Sequence, residues 1–144
     1  MKKSASAFTL IELLVVSTII IMLTVIGIAS FSTASKSARD ARRKTDLETI
    51  RQAMVLYKVQ NGDYTPAAGG SADQIKSALL TNNLISPPFP VDPTSATSYQ
   101  VGTVTDTDFC FFADVESNNG NHNGNSCDAA WVTSGGTYYC VEEP

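Results

Sequence analysis

From Leu13 to Ser35 the chain runs for 23 residues without a charge. About 20 predominantly apolar residues in a helix cross a bilayer core. The run therefore restricts the N-terminal part of the chain to a membrane-length helix, whose backbone groups satisfy one another. One residue sits badly at its edge. Glu12 opens the run, and an isolated carboxylate in hydrocarbon is costly, so something has to compensate it. Lys2 and Lys3 precede the run, which by the positive-inside rule keeps the extreme N-terminus in the cytoplasm and the rest beyond the membrane. A secretory signal peptide fits less well. It has an apolar core of ~7–15 residues followed by small residues. Here the core is longer, and Ser4, Ala5, Ser6 and Ala7 come before it. A plain transmembrane anchor is the simple alternative.

No breaker ends the run, and no proline occurs before Pro66. After Lys36 the chain stays helix-friendly. Leu47, Ile50, Met54 and Tyr57 recur at steps of three and four, giving one apolar stripe. Asp40 with Lys44, and Glu48 with Gln52, stand at i,i+4 and are expected on the wet side. Asn61-Gly62 is a helix stop. The expectation is one continuous helix from about Phe8 to Gln60, roughly 80 Å long at 1.5 Å per residue. Its first half is apolar all round. Its second half is amphipathic and has to pack one face on a globular head.

The head follows. "NGDYTPAAGG" reads as a loop, and Ser71 with Gln74 makes a capping box before a short helix ending near Asn82-Asn83. "SPPFPVDP" reads as a rigid connector. "TSYQVGTV", "DFCFFADVE" and "WVTSGGTYYCV" are strand-like, rich in β-branched and aromatic residues. In the second of these, Phe109, Phe111, Ala113 and Val115 alternate with Cys110, Phe112 and Asp114, and the first set is expected to face the long helix. The fold class is α+β: a long N-terminal helix packed on a small antiparallel sheet, which buries the Leu47/Ile50/Met54/Tyr57 stripe.

Charge is unevenly placed. Lys36, Arg39, Arg42, Arg43, Lys44, Arg51 and Lys58 stand against Asp40, Asp46 and Glu48, while no Lys or Arg follows Lys76. The result is a basic collar beside the membrane and an acidic head. The collar can touch lipid headgroups or meet the acidic surface of another copy. Nucleic acid is a weaker third partner, because the net charge is -4.

"AFTLIELLVV" resembles the processing site of type IV prepilins and of the pseudopilins of type II secretion. The pattern is a short basic leader, a small residue, Phe, then Thr-Leu-Ile-Glu. "YKVQNGDYTP" and "PVDP" with "SYQV" are similar to later segments of the same family, so the resemblance extends from Met1 to about Val101. It implies a pilin-like fold divided into a leader at 1–7, a membrane and assembly half of the helix at 8–35, an amphipathic half at 36–62 and a head at 63–144. The head would hold the short helix at about 71–82 and strands between about 97 and 141. It implies that prepilin peptidase cuts between Ala7 and Phe8 and methylates the new Phe8 amine. Further implied partners are a membrane assembly platform with ATPase-driven machinery, the bilayer before assembly, and other copies in a helical homopolymer. Nucleic acid enters only in a DNA-uptake role. Ala7 stands where the family usually has Gly. Ile21 and Ala29 stand where many pilins have a helix-loosening Gly and Pro, and Gly27 is the one breaker nearby.

The resemblance also supplies a partner for Glu12. When apolar helices bundle with an axial displacement, the Phe8 amine of one copy can sit beside Glu12 of the next. An α-amine has a pKa of about 7.7–8.0 and is largely cationic. Two charges that are costly alone become a pair, and the pair selects subunits with a cut N-terminus. The implied product is a surface filament. The alternatives are a pseudopilin of a type II secretion or DNA-uptake system, and a membrane-anchored extracellular binding module.

Three cysteines permit one bridge, and the head lies where disulfides persist. Cys127–Cys140 would clip the C-terminal strand to its preceding loop, as in many pilins; Cys110–Cys140 is the rival. His122 is the sole histidine, in the loop "NNGNHNGNS" with nothing to orient it. That loop also raises calcium, with Asp114, Glu116, Asn118 and Asn121 as oxygen ligands. However, Asn119 and Asn125 occupy the places where an EF-hand needs Gly and Glu. No phosphate cradle, zinc spacing or nucleophile–base pair is legible, so neither a cofactor nor enzymatic activity is expected.

Overall fold

The computed structural model describes residues 8–66, 70–117, 120 and 137–142. The elements are α1 (Leu10–Asn61), α2 (Ala72–Thr81), β1 (Gln100–Val104), β2 (Phe109–Asp114) and β3 (Tyr138–Glu142). This is the expected α+β arrangement of a long N-terminal helix and a small antiparallel sheet. The chain divides into two compact units, 1–35 and 36–144.

In the first unit, the large apolar side chains from Phe8 to Phe31 are exposed. The helix is long and apolar enough to cross a membrane. Ser17, Thr18 and Thr24 bond their hydroxyls back to Leu14, Val15 and Ile20 carbonyls at 2.7–2.8 Å. No hydroxyl of these three is left to face hydrocarbon unsatisfied.

In the second unit, Leu47, Ile50, Met54 and Tyr57 are buried, with Ala53 between them. They share one core with Tyr64, Ile75, Leu79, Tyr99, Phe109, Phe111, Ala113 and Val141. Each fully buried side chain of this size contributes roughly 1.5–3 kcal/mol. Tyr64 and Phe109 meet edge to face, with centroids 4.7 Å apart. Gly62 ends α1: its φ is +96°, a left-handed conformation that glycine adopts without strain, and its N–H donates to the Lys58 carbonyl at 2.7 Å. The α2 capping box forms as expected, Gln74 Oε1 accepting from the Ser71 N–H at 3.1 Å and its hydroxyl at 2.7 Å. The Pro87–Pro88 peptide in the connector is cis.

The sheet is an antiparallel meander in the order β1-β2-β3. β2 is central and buried on both faces. Its alternation is the one read from the sequence. Phe109, Phe111 and Ala113 join the core that holds the α1 stripe. Cys110 and Phe112 turn to the other face, packed with Tyr138 and Cys140. The strands are shorter than the strand-like runs: pairing begins at Gln100 rather than near Thr97, and most of the third run lies outside the described residues.

One expected feature is reversed. Asp40 is not on the wet side of α1; it is 3% exposed, and Arg43 beside it is also 3% exposed. Both fall in the same three-and-four phase as Leu47 and Ile50, so they continue the buried stripe toward the N-terminus.

Candidate functional site

The start of α1 is built by four residues. Thr9 precedes the first helical turn, and its N–H and hydroxyl both donate to Glu12 Oε2, at 2.9 and 2.7 Å. The Glu12 N–H donates back to Thr9 Oγ1 at 3.3 Å. This is a capping box, Thr at the N-cap and Glu three residues on, and it satisfies backbone donors that a helix start leaves open. The Glu12 charge also lies at the positive end of the helix dipole. Glu12 Oε1 accepts from none of the described residues. Phe8, directly before Thr9, is 81% exposed. Lys2, Lys3 and Ala7 lie outside the described residues.

A second cluster lies within the 36–144 unit. Arg43 is its hub. The guanidinium donates from Nε to Asp92 Oδ2 at 2.6 Å, and from Nη1 to Asp40 Oδ1 at 2.7 Å and Glu116 Oε1 at 3.0 Å. Nη2 donates to Thr94 Oγ1 at 2.8 Å. Asp40 reaches further: it accepts from the N–H groups of Glu116 and Ser117, at 2.9 and 2.8 Å. Asp92 accepts from the N–H groups of Thr94 and Ser95, at 2.8 and 3.0 Å. Arg39 adds a fork-to-fork pair with Glu116. Three segments are thus tied to one another: α1, the 92–95 turn and the chain leaving β2. The planar fork of Arg suits this, since it offers five donors in fixed directions.

The electrostatics follow the geometry. Burial opposes the charge on Asp92, but the Arg43 bond and the two backbone donors outweigh it and hold the carboxyl at about 2. Glu116 is lowered to about 2, first by the Arg39 bond. Burial opposes the Arg43 charge too, yet its three carboxylate partners keep it firmly cationic.

These shifts carry a sign. Carboxyls with depressed folded pKa values stabilise fully above their unfolded values, 3.8 for Asp92 and 4.5 for Glu116, and lose that contribution as pH falls through about 2. The melting temperature of the head, followed in the full detergent-solubilised chain, is expected to hold down to about pH 5 and drop steeply between about pH 4.5 and 2. A flat profile down to pH 2 would show that the network contributes nothing to stability.

The remaining candidates separate. Cys110 is disulfide-bonded, and its partner lies outside the described residues, as does Cys127. Cys140 retains its thiol, pushed up to about 11 by burial and by the Glu142 carboxylate. Both expected bridges used Cys140, and both are corrected. The register gives the reason for the cross-strand one: Cys110 pairs with Glu142, and Cys140 with Phe112. The two cysteines are diagonal neighbours, typically ~7–8 Å apart, beyond the usual Cα reach of a disulfide. Asp114 is exposed at the end of β2, and the Glu116 carboxylate is occupied by Arg39 and Arg43. Among the described residues no group of three or more His, Cys, Asp or Glu is placed to hold a metal.

The basic collar is largely consumed within the chain. Arg39 and Arg43 serve the network, Arg51 pairs with Glu48, and Lys44 lies over the Tyr139 ring. Arg42 stays outside, its side chain 61% exposed and 3.7 Å from Asp46.

Compared with protein-family models, curated proteins and solved structures, the chain matches none.

Proposed function

We propose that this chain is the structural subunit of a type IV pilus-like surface filament. In this reading prepilin peptidase cuts between Ala7 and Phe8, the Phe8 amine is methylated, and the chain polymerises through its apolar N-terminal helix. Before assembly it is a single-pass membrane protein with its N-terminus in the cytoplasm; afterwards it is outside the cell. One observation carries the reading. The exposed apolar first half of α1 bears a single carboxylate, one turn from Phe8, with an oxygen that no described residue uses. Other copies of the same helix can cover the apolar surface, and the amine of one can reach that oxygen of another. A pseudopilin of a secretion or DNA-uptake system would use the same contacts in a shorter fibre.

A second reading has its own support. The Thr9–Glu12 capping box gives Glu12 a role inside its own chain, which suits a membrane-anchored binding module with no polymer.

Mass measurement of the N-terminal peptide separates them. Cells are sheared, and the peptide is compared between sheared material and membranes. The filament reading expects a methylated Phe8 terminus in the sheared fraction. The same terminus confined to membranes points to a pseudopilin. An intact Met1-to-Ala7 leader, in cells known to hold the peptidase, rejects both and leaves the anchored module.

A further inference from the structure

We infer that the hollow beside Arg43 binds a primary ammonium group on an alkyl stem, the end of a lysine side chain or of a free alkylamine. Its volume is about 230 Å³, room for one such group and less than the ~300–1,000 Å³ of a drug-sized site. The 92–97 turn forms one wall, and the start of β1 with the end of β2 forms another. In the sheet Gln100 stands opposite Phe112, and Asp114 is two residues further on, so these three side chains share one face. The turn is already set: the Asp92 N–H donates to the Thr97 carbonyl and the Ala96 N–H to the Asp92 carbonyl, both at 2.9 Å. A ligand therefore enters without first ordering that wall. The lining decides the sign of the ligand. Arg43 is its only cation among the described residues, and all five of its N–H groups are taken by Asp92, Asp40, Glu116 and Thr94. An anion thus meets no free cationic donor. Around the hollow, Arg39 and Arg43 stand against Asp40, Asp92, Glu116 and Asp114, which leaves carboxylate charge in excess. Ser98, Gln100 and Asp114 spend no side-chain hydrogen bond on any described residue. An ammonium carries three N–H donors, one for each of these acceptors. The Phe112 ring lines the same hollow and offers apolar surface to the methylenes of the stem.

The ligand does not depend on whether the chain polymerises, so the test uses the full detergent-solubilised chain. Backbone amide shifts are followed by NMR during titration with three probes. These are 1,5-diaminopentane, 1,5-pentanediol, and a capped Gly-Lys-Gly peptide. Saturable shifts confined to residues around 94–100 and 112–114 are expected with the diamine and the peptide. The diol has the same stem without the charge and is expected to bind at least tenfold more weakly. Asp114→Asn removes the free carboxylate and is expected to weaken both cationic probes about tenfold, the scale of one hydrogen bond to a charged group. Asp114 is exposed and outside the Arg43 network, so its melting temperature should match the parent's and a folding defect would show at once. Tighter binding of the peptide assigns the site to a lysine side chain; tighter binding of the diamine assigns it to a free amine. A diol that binds as well as the diamine overturns the inference, because the hollow then reads hydroxyls and not charge. No saturable shift with either cation up to millimolar concentrations overturns it too, as does a folded Asp114→Asn chain that binds like the parent.

Discussion

Glu12→Gln is expected to yield a subunit that inserts, is cut and folds, but does not form filaments. On the filament reading proposed above, the substitution separates two roles that one carboxylate combines. Gln accepts the Thr9 bonds as Glu does, because a capping box takes either residue. The helix start is therefore kept. The charge is not, and a neutral amide cannot offset the Phe8 ammonium of a second copy. Leaving one member of a buried ion pair without its partner is strongly unfavourable. Expressed as an equilibrium it amounts to about a hundredfold or more per contact, and a polymer repeats the contact at every subunit. Sheared filament should fall below detection while the membrane pool stays at its normal level. Glu12→Ala should look the same in sheared material, with a frayed first turn added. If the anchored module is correct, Glu12→Gln changes nothing and Glu12→Ala costs only the cap. Normal filaments from the Gln variant would remove the charge pair from the account and leave Glu12 as a cap.

The same four residues show where reading the sequence succeeds and where it stops. Thr9-Leu10-Ile11-Glu12 resembles a processing motif, and Thr-x-x-Glu before an apolar run is also a capping-box signature, the one the structure forms. The long helix was legible because its signals agree: no breaker, a sustained stripe and a terminal Asn-Gly. The sheet was legible in β2, where alternation over six residues assigns Phe109, Phe111 and Ala113 to one face. The arginine network was half legible. Asp40 and Arg43 lie in phase with Leu47 and Ile50, but a periodicity search that counts apolar residues alone stops at Leu47. Its other members, Asp92 and Glu116, are far away in sequence, and only the fold brings them to Arg43. Charge composition was blind to pairing here. It counted a basic collar open to partners, whereas Arg39, Arg43 and Arg51 are paired with carboxylates inside the chain. The cross-strand bridge Cys110–Cys140 failed for a related reason: pairing depends on sheet register, and register places Cys110 across from Glu142.

Neighbouring arginines on α1 provide the second large effect. Arg43→Ala is expected to destabilise the head by about 3–5 kcal/mol, because it strands the buried Asp40 carboxylate without its counter-charge. Asp40 is 3% exposed and cannot recover water without opening the helix from the 115–117 segment. Against a typical domain stability of about 5–15 kcal/mol, this is a large share, and the melting temperature should drop by more than about 10 °C. Arg43→Lys keeps the charge but not the fork, and one ammonium cannot span Asp92, Asp40, Glu116 and Thr94 together. It should fall between Ala and the parent. Arg42→Ala, one residue away, loses an exposed pair at 3.7 Å and should change stability by less than about 1 kcal/mol. Equal melting temperatures for the two Ala variants would sink the hub assignment. The contrast also decides how charge-driven packing between copies can be tested. A joint Arg42/Arg43 reversal would unfold the head, and its missing filaments would say nothing about contacts between subunits. Arg42→Glu alone leaves the network intact, so a loss of filament there, with an unchanged melting temperature, would report on the surface. Filaments lost in Arg43→Ala with a destabilised head, and lost in Glu12→Gln with an intact one, would place the two residues at separate steps: one in making the subunit, the other in joining it.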